Sequence, residues 1–500
     1  MVSAPRVIDK YTVASAGVTF TVEVVEDPAE FVNIYRLSAF SISPATKIIL
    51  DKIREEFIVN VEVQGTAELD VEKLGGISES IRKGFEREIG GILKKYFPSV
   101  DRKTYDTLLN YLIQQNIGFG DLEPMLKDAG LEEIVINGAT EPVWVYHRKH
   151  GWLKTSVTVP RESKIRHYAT VIGREVGKDI TLLNPLMDAS LKTGDRVNAT
   201  LNPISTKGNT ITIRKFAEKP WTIADFLNKN TLSVEVAAMI WLCVENELSV
   251  LISGGTGSGK TSALNVVMTF FPPNQRIISI EDTREVVLPS FMHWVQRETR
   301  LPNPEGKGAV TMLDLVVNSL RMRPDRIVVG EIRRKQEALV LFEAMQTGHS
   351  VYATIHANNA DETVQRLTHE PIDVPKAVLP TLCVILVMNR NRRTGFRRAL
   401  QLAEMTPGGD ARVIYQLDAQ KDVVKKIAEP DSLFKKIGLY TGLKPAEINA
   451  NLKNKVEILR RLQKIEGADI QTIGYIFAHY YTNKDFKVAD IQKLIDEAKR

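Results

Sequence analysis

A glycine-rich run near the middle of the chain carries the clearest chemical signal. It consists of Gly254, Gly255, Thr256, Gly257, Ser258, Gly259, Lys260 and Thr261, which match the spacing G-x-x-x-x-G-K-[ST]. An apolar stretch, residues 250–253, precedes the run, and a helical pattern over residues 262–270 follows it. Glycines let successive backbone N–H groups turn toward phosphate oxygens, and the following helix points its positive end at the same place. The run therefore predicts a site for nucleotide phosphates.

Polar side chains at the end of this run specify the ligand further. Lys260 is expected to reach the β- and γ-phosphates, Thr261 to place its hydroxyl on Mg²⁺, and Ser262 to lie in the same site. A guanine site would need an N-K-x-D motif. None of the Asn-Lys pairs in the chain has Asp at the fourth position of that motif. ATP with Mg²⁺ is therefore favoured. The loop alone leaves the reaction open among small-molecule kinases, GTPases and motor ATPases.

A carboxylate at the end of a later apolar run is the second candidate group. Residues 326–331 read as a buried strand that ends at Glu331. We expect this strand beside the strand that leads into the glycine-rich run, so that Glu331 lies near the metal and the γ-phosphate. The arginine-rich residues 320–325 before it and Arg333 after it favour a functional role over a solvated loop charge.

Three more carboxylates follow the apolar run 277–280: Glu281, Asp282 and Glu285. Doubly wound sheets bind ligands at the carboxyl ends of their strands. Hydrolysis needs one carboxylate to polarise the attacking water and another near Mg²⁺. We assign to Glu281 the role of polarising the attacking water, and Glu285 is the alternative for this role. Asp282 joins Thr261 and Glu331 as a candidate metal ligand.

Two histidines bracket the apolar run 350–355, His349 before it and His356 after it. A single histidine is more often structural than catalytic. Histidines at both ends of one strand favour groups that sense the phosphates or hold a neighbouring subunit. Zinc coordination is not expected, because no third ligand stands at a suitable spacing.

Alternating strands and helices must position these residues. The strand candidates are 250–253, 277–280, 327–329, 351–355 and 383–388, which predict a mainly parallel sheet covered by helices. Residues 399–405 and 413–417 are expected to be edge strands or a hairpin. From about residue 418 to residue 500 the chain reads as charged and helical, without strong β runs.

The upstream half has a mixed pattern. Expected strands are two within 11–25 around Gly17, then 57–63, 133–136, 143–147, 152–159, 196–201 and 210–214; expected helices are 78–96, 101–115 and 164–176. Asp101 is the predicted N-cap of the second helix and Gly118 its predicted terminator. The predicted domains are an N-terminal α/β and helical region (1–117), a second N-terminal α/β domain (118–216), a linker (217–222), an ATPase core (223–417) and a helical C-terminal segment (418–500).

Composition sets the outer bounds. With 500 residues, 43% hydrophobic and 25% charged, the chain is typical of about three globular domains, which excludes disordered, collagen-like and coiled-coil proteins. No apolar run reaches the roughly 18 residues of a membrane span, and acidic residues interrupt the first apolar stretch, so no signal peptide is expected. The two cysteines form no C-x-x-C pair, which excludes a disulfide framework and fits a reducing, cytoplasmic setting. The net charge of +5 does not call for nucleic acid.

Four sequence boxes, in this order, resemble the type II/type IV secretion ATPase superfamily. They are residues 254–261 (Walker A), 277–285 (aspartate box), 326–331 (Walker B) and 347–358 (histidine box). Residues 118–138 resemble the second N-terminal domain of that family, and the resemblance covers about residues 100–410. It implies an α/β fold: a RecA-like P-loop motor domain, preceded by a smaller mixed α/β domain and followed by a helical C-terminal segment.

The resemblance also implies a function and partners. Such proteins are cytoplasmic motor ATPases that power a type II secretion, type IV pilus or archaellum machine through hexameric domain motions. The implied partners are a homo-hexamer and a polytopic platform protein of the cytoplasmic membrane, with peripheral membrane contact and neither zinc nor nucleic acid. The missing four-cysteine zinc site favours the archaeal branch. In that branch Arg196 and Arg214 would approach the γ-phosphate as arginine fingers.

The main alternative is a hexameric nucleic-acid translocase, which shares the RecA-like core. It would need a basic or aromatic channel lining. The candidate is residues 390–398, with five arginines within nine residues. We favour a subunit contact or a membrane-facing charge for this run.

Overall fold

The computed structural model describes the chain except residues 1–3, 16, 40–43, 65–78, 118, 192, 217–218, 303–305, 466, 484 and 499–500. The predicted terminator Gly118 and the first two residues of the predicted linker 217–222 thus lie outside the described residues. The chain divides into two compact units, Met1–Glu218 and Lys219–Arg500. Within the described ranges, no helix is long and apolar enough to cross a membrane.

The first unit is built on a mixed sheet with helices. Its strands are β1 Arg6–Ser15, β2 Val18–Glu26, β3 Ile34–Ala39, β4 Leu131–Ile136, β5 Pro142–His147, β6 Gly151–Thr158, β7 Leu186–Ser190, β8 Arg196–Thr200 and β9 Thr210–Arg214. Its helices are α1 Pro44–Gln64, α2 Glu79–Tyr96, α3 Arg102–Ile117, α4 Glu123–Lys127 and α5 Glu162–Glu175. The strand order is β1-β2-β3-β6-β5-β4-β9-β8-β7. Neighbours pair antiparallel except β3 and β6, which run parallel.

The second unit contains the glycine-rich run. Its strands are β10 Val250–Gly254, β11 Ile277–Glu281, β12 Trp294–Glu298, β13 Arg326–Val329, β14 Ser350–Ile355, β15 Val384–Arg390, β16 Arg397–Met405, β17 Ala411–Asp418 and β18 Val423–Lys426. Its helices are α6 Ile223–Asn228, α7 Val234–Glu245, α8 Lys260–Met268, α9 Met312–Ser319, α10 Lys335–Gln346, α11 Ala360–Thr368, α12 Ser432–Thr441, α13 Pro445–Gln463, α14 Ile470–Thr482 and α15 Ile491–Ala498. The strand order is β12-β11-β13-β14-β10-β15-β16-β17-β18.

The first six strands in that order are parallel, and the last three continue the sheet antiparallel. Every residue of β10, β11, β13 and β14 is buried, as expected for parallel strands covered on both faces. The predicted parallel sheet is confirmed, and residues 399–405 and 413–417 do form the predicted hairpin, β16 and β17. All carboxyl ends of the parallel strands therefore meet at one edge.

The C-terminal helices pack onto this unit through α7. Residues 236–244 of α7 are all buried, and a helix that is apolar on every side lies inside a protein. Trp241 stacks on Phe270 with ring centroids 5.7 Å apart and meets Phe477 of α14 edge-on at 4.8 Å. Beside it the fully buried Lys455 of α13 pairs with Glu245 at 2.7 Å. Aromatic packing and this ion pair join the helical segment to the sheet.

A buried carboxylate provides a second attachment. Glu404 of β16 is fully buried and pairs with Arg412 of β17. It also accepts the backbone N–H groups of Asp431 at 3.1 Å and Leu433 at 3.0 Å, at the start of α12. Buried charges persist in proteins when they are paired and hydrogen-bonded. Glu404 thus fixes the first of the C-terminal helices to the sheet.

Several predictions about elements are wrong. Residues 57–63 belong to helix α1, where Leu50, Ile53 and Phe57 bury one helical face, so tertiary packing overrides the local β pattern. Strands β3, β7, β12 and β18 were not predicted; three of them are sheet edges, where fewer apolar residues are needed. Strand β18 is a short four-residue strand in the segment after residue 418, which was expected to be helical.

One predicted N-cap is confirmed: Asp101 Oδ1 accepts the backbone N–H of Thr104 at 3.0 Å, at the start of α3. The predicted neighbour of the P-loop strand is wrong. Strand β14 pairs with β10, and β13, which leads to Glu331, pairs with β14 and β11. Strand β14 therefore stands between the two, and Glu331 is one strand farther from the glycine-rich run than expected.

Candidate functional site

The glycine-rich run joins β10 directly to α8, with Gly259 as the N-cap of the helix. Gly254, Gly257 and Gly259 have φ values of 156°, 70° and 92°, which side chains disfavour. A Cβ at Gly254 would lie 2.5 Å from both the Met388 carbonyl oxygen and Ser258 Oγ. The glycines thus allow a tight loop around the start of a nine-residue helix, where backbone N–H groups attract anions.

Lys260 lies across this loop. Its Nζ donates to the carbonyl oxygens of Gly254 at 3.0 Å and Gly255 at 3.1 Å, and it contacts His356 Nδ1 at 3.2 Å. His356 follows β14, the strand next to β10. The predicted phosphate lysine and one predicted histidine are therefore brought together.

A line of polar contacts continues from Lys260 across the carboxyl edge of the sheet. His356 Nε2 lies 3.1 Å from Glu331 Oε1. Arg333 then bridges two carboxylates, with Nη2 2.7 Å from Glu331 Oε2 and Nη1 2.6 Å from Asp282 Oδ2. We call Lys260, His356, Glu331, Arg333 and Asp282 the charge chain. It links the ends of β10, β14, β13 and β11, so Glu331 reaches the loop through His356 despite the intervening strand.

His356 acts in this chain as a neutral imidazole. Burial, and next the ammonium of Lys260, lower its pKa. A neutral ring has one acceptor and one donor nitrogen. Nδ1 then accepts from Lys260, while the Nε2–H donates to Glu331. The imidazole can thus relay a change at the lysine to the carboxylate.

Glu281 is the buried carboxylate of the site. Only 2% of its surface is exposed, and Oε1 accepts the backbone N–H groups of Glu285 at 2.9 Å and Val286 at 3.0 Å. Burial raises the pKa of Glu281 to about 7, outweighing those two hydrogen bonds. Asn265 of α8 ties the same segment to the P-loop helix, since its Nδ2 donates to the Glu285 carbonyl oxygen at 3.1 Å. Glu281 and Glu285 are thus held against the helix that begins at Lys260.

Oxygen donors for a divalent cation lie nearby. Thr261 is the second residue of α8, and Asp282 and Glu331 are close enough to share Arg333. Mg²⁺ prefers hard oxygen ligands and typically takes one or two carboxylates together with phosphate oxygens. A hydroxyl and two carboxylates are ligands that suit Mg²⁺ when phosphate oxygens complete its coordination. Within the described ranges, no group of three or more His, Cys, Asp or Glu side chains could hold a metal.

One predicted residue of the second unit, His349, does not lie at this site, and the two predicted arginine fingers belong to the first unit. His349 precedes β14, and its strand runs parallel to β10, so it lies at the opposite edge of the sheet, roughly 17–20 Å away along a six-residue strand. Its Nδ1 contacts the Ala344 carbonyl oxygen at 3.3 Å. Arg196 and Arg214 belong to the first unit, where they are exposed cross-strand neighbours on β8 and β9. Arg196 Nη2 pairs there with Asp188 Oδ2 at 2.7 Å.

Other arginines reach the site that were assigned no such role from the sequence. Arg333 joins the two carboxylates of the charge chain, and Arg397 Nε donates to the Gly257 carbonyl oxygen at 3.0 Å. Arg397 and Arg390 belong to the arginine-rich run considered above as a channel lining. Arg398 of that run pairs with Asp422 at 2.7 Å. Arg390, Arg397 and Arg398 are thus half-buried, whereas Arg392 and Arg393 are exposed.

Comparison with known proteins identifies the family of the chain. The sequence model of a family described as Type II/IV secretion system protein matches residues 180–387. An uncharacterized protein of Methanocaldococcus jannaschii is 35% identical over 409 residues, 78% of this chain and 74% of that protein. A putative conjugal transfer protein of Mycobacterium tuberculosis is 34% identical over 267 residues, 52% of this chain and 74% of that protein. The chain belongs to the type II/type IV secretion ATPase superfamily.

The family resemblance of the four boxes is therefore confirmed. The predicted fold class is also confirmed. The chain has a mixed α/β N-terminal unit, a P-loop unit on a mainly parallel sheet, and C-terminal helices. Among solved structures, the ATPase DotB from Legionella pneumophila matches with a TM-score of 0.42 and 20% identity, covering 74% of this chain and 93% of that one.

Proposed function

We propose that the chain is an ATP-hydrolysing motor that powers secretion or the assembly of a type IV pilus or archaellum. The observation that carries this proposal is the contact of Lys260 with the P-loop carbonyls and, through His356, with Glu331. The proposal is supported because Lys260, His356 and Glu331 lie at one edge of one sheet, where a phosphate-binding loop and a hydrolytic carboxylate would act together. Superfamily membership supports the same reaction.

ATP would be held by the backbone N–H groups of residues 254–262 and by Lys260. Mg²⁺, held by Thr261, Asp282 and Glu331, would neutralise developing charge on the phosphates when bound. Lys260 would leave the Gly254 and Gly255 carbonyls for the phosphates. The Glu331 carboxylate would keep its contact with His356, so the state of the P-loop would reach the rest of the charge chain.

Glu281 is the proposed group that orients and deprotonates the attacking water. A general base works best when its pKa lies near the operating pH, and burial brings the pKa of Glu281 to about 7. Its carboxyl is held by two backbone N–H groups, which limits its orientation. Glu285 stays in reserve for the same role.

The finer parts of the proposal concern assembly. We place the protein as a homo-hexamer at the cytoplasmic face of a membrane, where it acts on a polytopic platform protein. Arg196 and Arg214 would act as arginine fingers when domains close, and their adjacent positions on β8 and β9 suit a paired role. The assembly and the arginine fingers follow from the resemblance of the four boxes, while a relative at 29% identity named Type IV secretion system protein PtlH, of Bordetella pertussis, supports a role in secretion.

Nucleotide binding and turnover test the proposal directly. Lys260→Ala should abolish ATP hydrolysis and weaken ATP binding, because it removes the charge aimed at the β- and γ-phosphates. Lys421→Ala, which removes the same charge from an exposed turn, is the matched control and should hydrolyse ATP normally. Normal turnover by Lys260→Ala, with a wild-type circular dichroism spectrum, would overturn the assignment.

Assembly and partner class need separate measurements. Sedimentation with a non-hydrolysable ATP analogue should give a hexamer, and a monomer would favour a small-molecule kinase. Acidic lipid vesicles, but not DNA, should stimulate hydrolysis. Stimulation by DNA alone would favour the translocase alternative.

A further inference from the structure

Two arginines meet the P-loop from the side opposite the charge chain. Strand β15 pairs with β10 so that Met388 stands beside Gly254. Arg390 ends β15 and Arg397 begins β16, and the two are directly paired in the antiparallel ladder. The turn between these strands thus carries both arginines to the loop that starts α8.

Both side chains lie against glycines of the loop. Arg397 Nε donates to the Gly257 carbonyl oxygen at 3.0 Å, and its Cδ lies 3.4 Å from where a Cβ on Gly259 would be. Arg390 Nη1 lies 3.1 Å from the corresponding position on Gly257. The arginines are half-buried and border the residues that open the helix.

This arrangement gathers positive charge around one loop. Like charges directly opposite each other across strands are destabilising, and Lys260 adds a third cation on the same loop. The N-terminus of α8 is itself attractive to anions. Guanidinium groups bind phosphate through two parallel hydrogen bonds, which lysine cannot do. A polyphosphate on the loop would therefore lie within reach of two guanidinium groups as well as Lys260.

We propose that Arg390 and Arg397 contact the polyphosphate of the bound nucleotide from the β15 side, opposite Glu331. The ligand class is a nucleoside di- or triphosphate, and the inference rests on the proposed function. Arg392 and Arg393, at the exposed tip of the same turn, take no part in this contact. Side chains from both strands that flank β10, namely β14 and β15, would then contact the nucleotide.

Binding measurements with defined nucleotides test this inference. The affinities of wild-type protein, Arg390→Ala, Arg397→Ala and Arg393→Ala for Mg-ATP, Mg-ADP and AMP are measured by titration calorimetry at two salt concentrations. Each of the first two variants should lose about tenfold in affinity for ATP and ADP, the effect of one charge-assisted contact, and little for AMP. Their affinity should also depend less on salt than that of the wild type. Arg393→Ala should match the wild type.

Arg397→Lys separates charge from geometry and covers a failure of the alanine variant to fold. It should keep the salt dependence while binding ATP more weakly than the wild type. Unchanged ATP affinity in Arg390→Ala and Arg397→Ala would overturn the inference while leaving the proposed function intact, provided Lys260→Ala still loses binding. An equal loss for ATP, ADP and AMP would also overturn it, since that result means only that the loop is distorted. Failure of the wild type to bind ATP would refute the proposed function instead.

Discussion

The buried carboxyl of Glu281 makes the stability of its unit depend on pH. Raising its pKa from 4.5 to about 7 corresponds to about 3 kcal/mol, since a tenfold change in proton affinity is worth about 1.4 kcal/mol. Below about pH 4.5 the carboxyl is protonated in the folded and unfolded chain, and this stabilisation is complete. As the pH rises from about 4.5 to about 7, the unfolded chain ionises while the folded chain stays protonated, so the stabilisation declines and is lost above about pH 7.

Glu281→Gln removes this titration and keeps an oxygen that can accept the N–H groups of Glu285 and Val286. We expect its free energy of unfolding, relative to the wild type, to rise by about 2–3 kcal/mol between about pH 5 and pH 8. The assay is urea unfolding followed by circular dichroism, with EDTA present so that no cation shifts the pKa. Glu343→Gln, which changes an exposed carboxyl on α10 of the same unit, is the control and should show no such rise.

A flat difference between Glu281→Gln and the wild type over that pH range would refute the reasoning. It would mean that water or a nearby positive group keeps the carboxylate ionised in the folded chain. A fall in the difference with rising pH would mean that the pKa of Glu281 is lowered rather than raised. Either result would also remove the reason for choosing Glu281 over Glu285 as the base.

Further predictions follow from other contacts. Glu404→Ala leaves Arg412 and two backbone N–H groups without their buried partner. We expect the free energy of unfolding, measured by urea titration, to fall by about 3–5 kcal/mol. A loss below about 1 kcal/mol would contradict the role of Glu404 in attaching α12. Asp128→Ala removes the carboxylate that accepts the hydroxyls of Tyr11 and Tyr35, each at 2.8 Å. We expect the free energy of unfolding of the first unit, measured by urea titration, to fall by about 2–4 kcal/mol. An unchanged unfolding transition would contradict this. Gly254→Ala forces a Cβ to within 2.5 Å of a backbone oxygen; it should weaken ATP binding at least tenfold by calorimetry, and wild-type affinity would show that the loop adapts.

The local parts of the site were predictable from the sequence. The P-loop conformation depends on glycines within a few residues of one another, so Gly254, Gly257 and Gly259 reveal it by spacing alone. The central strands were predictable because burial on both faces demands continuous apolar runs, as in β10 and β14. Asp101 is a further example, since an N-cap interacts only with the next turn.

What was missed depends on the order of strands in space. A sequence does not reveal that β14 separates β10 from β13, so the link from Lys260 through His356 to Glu331 was not foreseen. The same holds for Arg390 and Arg397, whose role follows from β15 lying beside β10. His349 illustrates the opposite case: its proximity to His356 in sequence does not place it at the same edge.

Strand β16 connects the surroundings of the P-loop with the first of the C-terminal helices. It begins at Arg397, which donates a hydrogen bond to the P-loop, and it ends near Glu404, which accepts a backbone N–H at the start of α12. The seven steps from Arg397 to Glu404 span about 24 Å, and over this length β16 is hydrogen-bonded to β15, while residues 401–405 also pair with β17. We therefore expect a displacement of the loop at one end of this strand to reach the helical segment at the other end.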